Sequence, residues 1–397
     1  MLGKKFVHLS KSAIVAGQPL LFPVFNKSGT LLLEKGKLVT NEHMRKIMAL
    51  KEIFTINRAL GTAMYDDSSD GQGSAFRLPP PFERIEALEK ILTDIYKAPN
   101  HPLTLSKILT IVNRLQAICE KSPDAVLAKI ILDNNDNYTI KHAIHTAILC
   151  ELTAKYLQWE VEKNRALIAA ALTMNISMVK NRALIAAALT MNISMGLMQN
   201  KLVSQAEPLT EEQQRIIQQH PTESVLVLKS IGVQNDDWLK FVENHHENSE
   251  GTGYPRGVSS GEIPLGSSLI SLSDVYSAKV SGRNYRKPIY ANVAARDIFL
   301  DKGQFNTETL IEVFVKILGL YPPGCLVKLV SGELGLVVKR GERVDSPTVR
   351  ILSKNKHGQV TLMNVQRQTS QKNFAIKSIV PLDLTDAIIN PLDVWQN

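Results

Sequence analysis

A mainly α-helical core flanked by two small β-rich modules is the fold class this sequence predicts, and three observations carry it. From Phe82 to about Tyr321 the apolar residues recur at helical spacing, with long stretches such as Ile85 to Tyr96 and Leu103 to Glu120. On both sides the pattern changes to alternation. Residues 5 to about 57 intersperse short apolar runs, such as Leu20-Leu21-Phe22-Pro23-Val24-Phe25, with turn signals around Gly29 and Gly36. After Pro322-Pro323-Gly324, runs such as Leu326-Val327-Lys328-Leu329-Val330 and Gly335-Leu336-Val337-Val338-Lys339 predict a small antiparallel sheet or barrel to about Pro381. The segment before the core holds Asp66-Asp67-Ser68-Ser69-Asp70-Gly71-Gln72-Gly73-Ser74 and ends in Pro79-Pro80-Pro81, a composition suited to a linker. The expected division is therefore a module over 1–60, a linker over 61–81, a helical domain over 82–320 and a C-terminal module over 321–397.

Composition narrows the class. An apolar share of 44% with 21% charged residues describes a globular chain that can bury a core. Cys119, Cys150 and Cys325 share no close spacing, which argues against a disulfide framework or a cysteine zinc site and fits a reducing cytoplasm. The start has no apolar stretch with a cleavage site, and no segment reaches the roughly 18 to 20 apolar residues of a membrane span. A formal charge of +8 invites a polyanion. Because the basic residues are scattered among acids with no aromatic interleaving, a solvated basic surface is favoured over a nucleic-acid interface, and a small anionic dinucleotide also suits the charge.

The helical domain contains an exact duplication. Lys163 to Met178 reads KNRALIAAALTMNISM, and Lys180 to Met195 repeats it after Val179, a period of 17 residues. Solenoid repeats are longer and need more copies. At about 100° per residue the second copy's apolar face would be rotated by about 100° from the first, so one continuous helix cannot bury both equally. One copy is expected in the core.

Several polar residues in this domain have the chemistry of a metal site. His142 and His145 lie three apart, on one helical face. His220 precedes Pro221. His245 and His246 are adjacent and run into the glycine-punctuated loop Glu247-Asn248-Ser249-Glu250-Gly251-Thr252-Gly253-Tyr254-Pro255. Adjacent helical side chains diverge by about 100°, so both rings converge on one site only where the backbone turns, at a helix end. Asp274 stands in an otherwise apolar helical run, and a buried aspartate requires a cation or hydrogen bonds. Arg283 and Arg286, three apart, form a pair suited to phosphate oxygens.

The His-His-Glu, Gly-Tyr-Pro and His-Pro elements, with the Asp274 helix, resemble the HD-GYP group of the HD superfamily, metal-dependent phosphodiesterases acting on cyclic di-GMP. The motifs span 138–288. The resemblance implies an HD-superfamily helical core, metal ligands at His142, His220, His245, His246 and Asp274, His145 as a non-ligand, and Pro221 at a helix start. It implies phosphate contacts from Arg283 and Arg286, a site-shaping or partner-docking role for Gly253, Tyr254 and Pro255, and a divalent ion such as Fe or Mn. Where the group reads approximately Ala-Leu-Leu-His-Asp-Ile-Gly-Lys, this chain has Ala188-Leu189-Thr190-Met191-Asn192-Ile193-Ser194-Met195, and the other copy has the same substitutions at Met174, Asn175 and Met178. Tyr138 stands where some members carry a third-metal glutamate, and Glu250 where the group has aspartate. The lost aspartate would bridge two cations about 3.5 to 4 Å apart; asparagine offers a neutral oxygen and methionine a soft sulfur. Three readings stay open: a degenerate member of cyclic di-GMP signalling that binds nucleotide, metal or a protein partner, an active phosphodiesterase with a remodelled single-ion site, and a nucleic-acid-binding regulator.

Overall fold

The computed structural model describes residues 6–9, 14, 23–28, 30–34, 37–50, 52–56, 79–133, 137–179, 208, 210–281, 289–300, 308–354, 360–381 and 389–395. The chain divides into two units, Met1–Pro79 and Pro80–Asn397.

In the first unit, β1 (Phe6–Leu9), β2 (Val24–Phe25), β3 (Leu31–Leu33) and β4 (Ile53–Ile56) form an antiparallel sheet in the order β1-β4-β2-β3. The strands agree with the alternation in the sequence. A helix that the alternation did not reveal, α1 (Asn41–Met48), is started by a reciprocal cap: Thr40 Oγ1 accepts from the His43 N–H, and His43 Nδ1 accepts from the Thr40 N–H. Ile47 from this helix packs with Val24, Leu33, Val39 and Ile53 in a small core.

The second unit opens with α2 (Pro81–Lys97), α3 (Thr104–Lys121) and α4 (Pro123–Leu132), so three helices precede α5 (Tyr138–Tyr156), which carries His142 and His145. Proline at the first turn of α2 and of α4 gives up no intrahelical bond and sets a helical φ. From Tyr138 to Ala154 every residue of α5 except Lys141 is buried. α5 is thus enclosed on nearly every side, packing against α6 (Val161–Thr173), α9 (Leu265–Val280) and α11 (Glu308–Leu318). The run Ala169-Ala170-Ala171 gives α6 a thin profile, with all three residues buried in the main core.

The first copy of the duplication, Lys163 to Met178, thus supplies α6 and the 3-10 turn that begins at Ile176, and it is core; the second copy, with Met191 and Asn192, lies outside the described residues. α7 (Glu211–Ser230), α8 (Asp236–Glu243) and α10 (Ala291–Leu300) complete the helices. Pro221 was expected at a helix start. It lies inside α7, which begins ten residues earlier at a Thr210 capping box closed by Gln213.

The C-terminal strands β5 (Leu326–Leu329), β6 (Leu334–Lys339), β7 (Thr348–Lys354), β8 (Val360–Gln368) and β9 (Ile376–Val380) form one antiparallel sheet in the order β8-β7-β6-β5-β9. Alternation sends Val327, Leu329 and Val337 into the main helical core, and Leu326, Leu336 and Val338 into a second cluster with Phe82, Ala125, Ala128 and Trp395. The Trp395 indole N–H donates to the Val338 carbonyl at 3.1 Å, and Arg340 reaches Asp124 of α4 at 2.6 Å. The sheet is therefore packed as part of the same compact unit as the helices. No helix among the described residues is long and apolar enough to cross a membrane.

Candidate metal centre

Three histidines from two helices converge. His220 projects from α7, while His245 and His246 follow Asn244, the residue that caps α8, so the turn out of the helix brings both rings to one side. Their ligand-capable nitrogens all lie within 4.8 Å of one another. The helix end expected from the adjacency of His245 and His246 is where the structure places them.

The rings of His220 and His245 are each oriented by a backbone carbonyl. His245 Nδ1 donates to the Val242 carbonyl at 2.6 Å, and His220 Nδ1 donates to the Ile217 carbonyl at 2.5 Å. The second bond explains the His-Pro sequence. In an uninterrupted helix the Ile217 carbonyl would take the N–H of residue 221, but proline has none. Pro221 thereby frees that carbonyl for the preceding histidine, and the helix continues on either side.

With Nδ1 carrying the proton in both rings, each Nε2 carries a lone pair, and the two Nε2 atoms face each other at 3.2 Å. Neither has a hydrogen to offer the other. Two opposed lone pairs at this separation repel, and a cation between them removes the conflict. Zinc-to-imidazole distances of about 2.0 to 2.1 Å are compatible with 3.2 Å between two ligand nitrogens, and a carbonyl on the second ring nitrogen is the usual orienting partner of a ligating histidine. Burial lowers the pKa of all three, His220 to about 3, so the rings are neutral near pH 7, the form that binds metal. The donor set fits one divalent ion.

His142 and Asp274 stand beside this group as a pair. His142 Nε2 lies 2.6 Å from Asp274 Oδ1, and its Nδ1 lies 2.9 Å from the Ser277 hydroxyl, one turn along α9 from Asp274. Thr146 Oγ1 donates to the His142 carbonyl and lies 3.3 Å from Ser277 Oγ, which ties α5 to α9 at this level. Tyr138 stacks on the His142 ring with centroids 5.1 Å apart. Burial alone would raise the Asp274 carboxyl, but His142, then His246 and His245, hold it well below the usual carboxylate range. Its negative charge in turn favours positive charge on the three clustered rings. His145 turns elsewhere, to Asp133 at 3.1 Å, where Lys129 and Lys141 also converge.

Residues the motif reading left without a role hold the loop. The Glu247 carboxylate accepts the backbone N–H groups of Arg256 at 2.7 Å and Val258 at 3.1 Å, closing the segment that follows the histidines. A Cβ on Gly253 would sit 2.5 Å from the His246 carbonyl oxygen and 2.6 Å from the Glu247 Cα, so only glycine permits this approach. Tyr254 donates its N–H to the His246 carbonyl and stacks on the His246 ring at 4.6 Å, and Pro255 follows it. Glu250 is exposed and bridges to Ser259. In the sequence Glu247 was visible only as the last residue of the His-His-Glu element.

The chain segment in the place of the missing pair passes the same helix. Met174 and Asn175 are buried where α6 ends; Ser224 of α7 donates to the Met174 carbonyl at 2.8 Å, and Ser177 donates to the His220 carbonyl at 2.9 Å. Arg283 and Arg286 lie outside the described residues.

Three histidines clustered at the junction of two helices form a group that could hold a metal ion. Comparison with known proteins carries this further. The model of the HD domain family matches residues 125–306. The chain is 27% identical over 242 residues to a cyclic di-GMP phosphodiesterase of Pseudomonas aeruginosa, covering 61% of this chain and 54% of that protein. It is 24% identical over 258 residues to a cyclic di-GMP phosphodiesterase of Borreliella burgdorferi, covering 64% and 63%. A 3′3′-cGAMP-specific phosphodiesterase of Vibrio cholerae is 28% identical over 168 residues, 42% of this chain and 35% of that one. The matched parts thus span about half to two thirds of the first two relatives. An HD-GYP-type protein of Bdellovibrio bacteriovorus of known structure aligns at TM-score 0.48 and 14% identity, over 78% of this chain and 98% of that one. Over residues 125–306 the chain is thus similar to HD-domain proteins.

Proposed function

We propose that this chain acts in bacterial cyclic di-GMP signalling as a metal-holding receptor for cyclic di-GMP or a related cyclic dinucleotide, with weak or lost phosphodiesterase activity. The observation that carries it is the pair of opposed Nε2 lone pairs on His220 and His245, fixed by carbonyls and closed off by His246. A site so arranged is built to hold a cation. His220, His245 and His246 would hold one ion, of Fe or Mn type, and an ion there would draw in a phosphodiester oxygen and acidify a bound water.

The chain's own residues set the limits of hydrolysis. Asp274, kept ionised, is engaged by His142 at 2.6 Å. Asn175 and Met174, which take the place of the His-Asp pair in the described copy, bring a neutral amide and a thioether to the end of α6 beside α7. Neither supplies the anionic bridge that would keep two cations together. Arg283 and Arg286 are the residues proposed for the dinucleotide phosphates, and the Gly253-Tyr254-Pro255 loop is proposed as a docking surface for a signalling protein. The curated relatives are named for cyclic di-GMP and cyclic GMP-AMP hydrolysis, which supports a cyclic dinucleotide as the ligand.

The test is turnover and binding of cyclic di-GMP by the purified chain loaded with Mn²⁺ or Fe²⁺ under reducing conditions, beside His245→Ala. Binding without product, lost in the variant, supports the receptor reading. Linear or mononucleotide product that disappears in the variant overturns it in favour of a remodelled enzyme.

A further inference from the structure

The far end of α5 carries a second concave site. α5 runs from the metal centre, where His142 sits, to Tyr156 at its last turn, 14 residues away. At about 1.5 Å per residue this is about 21 Å. There the ends of α5 and α11 meet the turn between β6 and β7 around a cleft of about 300 Å³.

The cleft is built rather than incidental. Arg340 forms its floor: the guanidinium donates to Asp124 at 2.6 Å and to the Ile317 carbonyl at 3.0 Å, the latter an otherwise open acceptor in the last turn of α11. The turn above it is held close by Leu320 N–H donating to the Val344 carbonyl at 2.7 Å. Gly341 is obligatory, because a Cβ there would meet the Ser346 carbonyl oxygen at 1.9 Å. Arg343 is forked onto Asp345 through Nε at 3.1 Å and Nη2 at 2.9 Å.

Two cations in this cleft are not used up in this way. Lys316 lies over the Tyr156 ring at 5.3 Å, and Lys339 closes β6 as its exposed end. Among the described residues neither has an acidic partner. Two tyrosine faces, Tyr156 and Tyr321, line the same space. Ammonium groups free to take phosphate oxygens, beside aromatic faces, in a volume at the small end of ligand pockets, match one chemistry.

We propose that this cleft binds a small phosphate-bearing ligand with a planar ring, of the size of a nucleoside monophosphate, with Lys339 and Lys316 on the phosphate and Tyr156 against the ring. The site is separate from the histidine cluster and does not depend on its occupancy. Because Tyr156 and His142 share one buried helix, a ligand there loads the opposite end of the element that carries His142.

The experiment is calorimetric titration of the full chain, chelator-treated so that the histidine cluster holds no ion, with guanosine 5′-monophosphate at low ionic strength. Saturable one-to-one binding is expected, weakened at least tenfold by Lys339→Glu and by Tyr156→Ala, with the fold of each checked by circular dichroism, and unchanged by His245→Ala. Guanosine and inorganic phosphate should each bind at least tenfold more weakly. No saturable binding, binding indifferent to Lys339→Glu and to the conservative Lys316→Gln, or loss in His245→Ala overturns the proposal.

Discussion

Pro221→Ala separates the stability of α7 from the chemistry of the site it carries. Proline inside a helix is disfavoured against alanine by about 3 kcal/mol, so the substitution should stabilise the metal-free protein, by about 1 to 3 kcal/mol once the surrounding adjustment to proline is allowed for. The new N–H at 221 would point at the Ile217 carbonyl, which now takes His220 Nδ1. The ring then loses the bond that fixes its tautomer and aims Nε2 at His245. Loss of such an orienting partner lowers metal affinity by about 10- to 100-fold, equivalent to about 1.4 to 2.8 kcal/mol. The two effects have opposite signs. Urea unfolding of chelator-treated protein measures the first, and competition of Zn²⁺ against a chromophoric chelator measures the second. A variant that is more stable and binds Zn²⁺ within about threefold of the parent would show that Pro221 does not prepare His220, and the account of the His-Pro pair would fall.

Two further outcomes follow from the same geometry. Gly253→Ala places a methyl among backbone atoms of His246, Glu247 and Asn248 that cannot rotate away, so it should cost about 1 to 3 kcal/mol in a denaturant titration and weaken Zn²⁺ binding in parallel; an unchanged midpoint would mean that the loop does not press on the histidines as described. The metal-free protein should lose stability as the pH falls below about 6.5, where unfolded histidine takes up a proton and buried His220, His245 and His246 do not. The unfolded state binds more protons throughout this window, which for His220 extends down to about pH 3, so stability rises with pH there, with a limiting slope of about 1.4 kcal/mol per pH unit for each fully shifted histidine. Urea midpoints that are flat between pH 7 and pH 5 would contradict the burial of the cluster.

Much of this was legible in the residues. The helical spacing between Phe82 and Tyr321, the two alternating flanks and the convergence of His245 and His246 at a helix end all depend on local periodicity, and periodicity is written along the chain. What escaped depends on pairs distant in sequence or on competing roles of one residue. The inward-facing strand residues that join the C-terminal sheet to the helical core contact partners up to about two hundred residues away, which no local pattern reports. Pro221 reads as a helix start because that is where proline is best tolerated, whereas here a side chain fills the bond it vacates. Glu247 looked like part of a ligand motif and is a clamp on two backbone N–H groups. The cap that starts α1 was present as Thr40 and was outweighed by the surrounding strand signals.

The doubled segment gives this domain a spare for one of its innermost helices. Lys180 to Met195 offers the same side chains in the same order as the segment that fills the core, so packing alone cannot tell the two apart. The choice rests on connection length: only Leu157 to Glu160 separate α5 from α6, and seating the later copy would lengthen that link by 17 residues. The added closure cost grows only logarithmically with loop length. A lesion such as Leu167→Asp in the seated copy therefore leaves an intact substitute, Leu184, one period downstream.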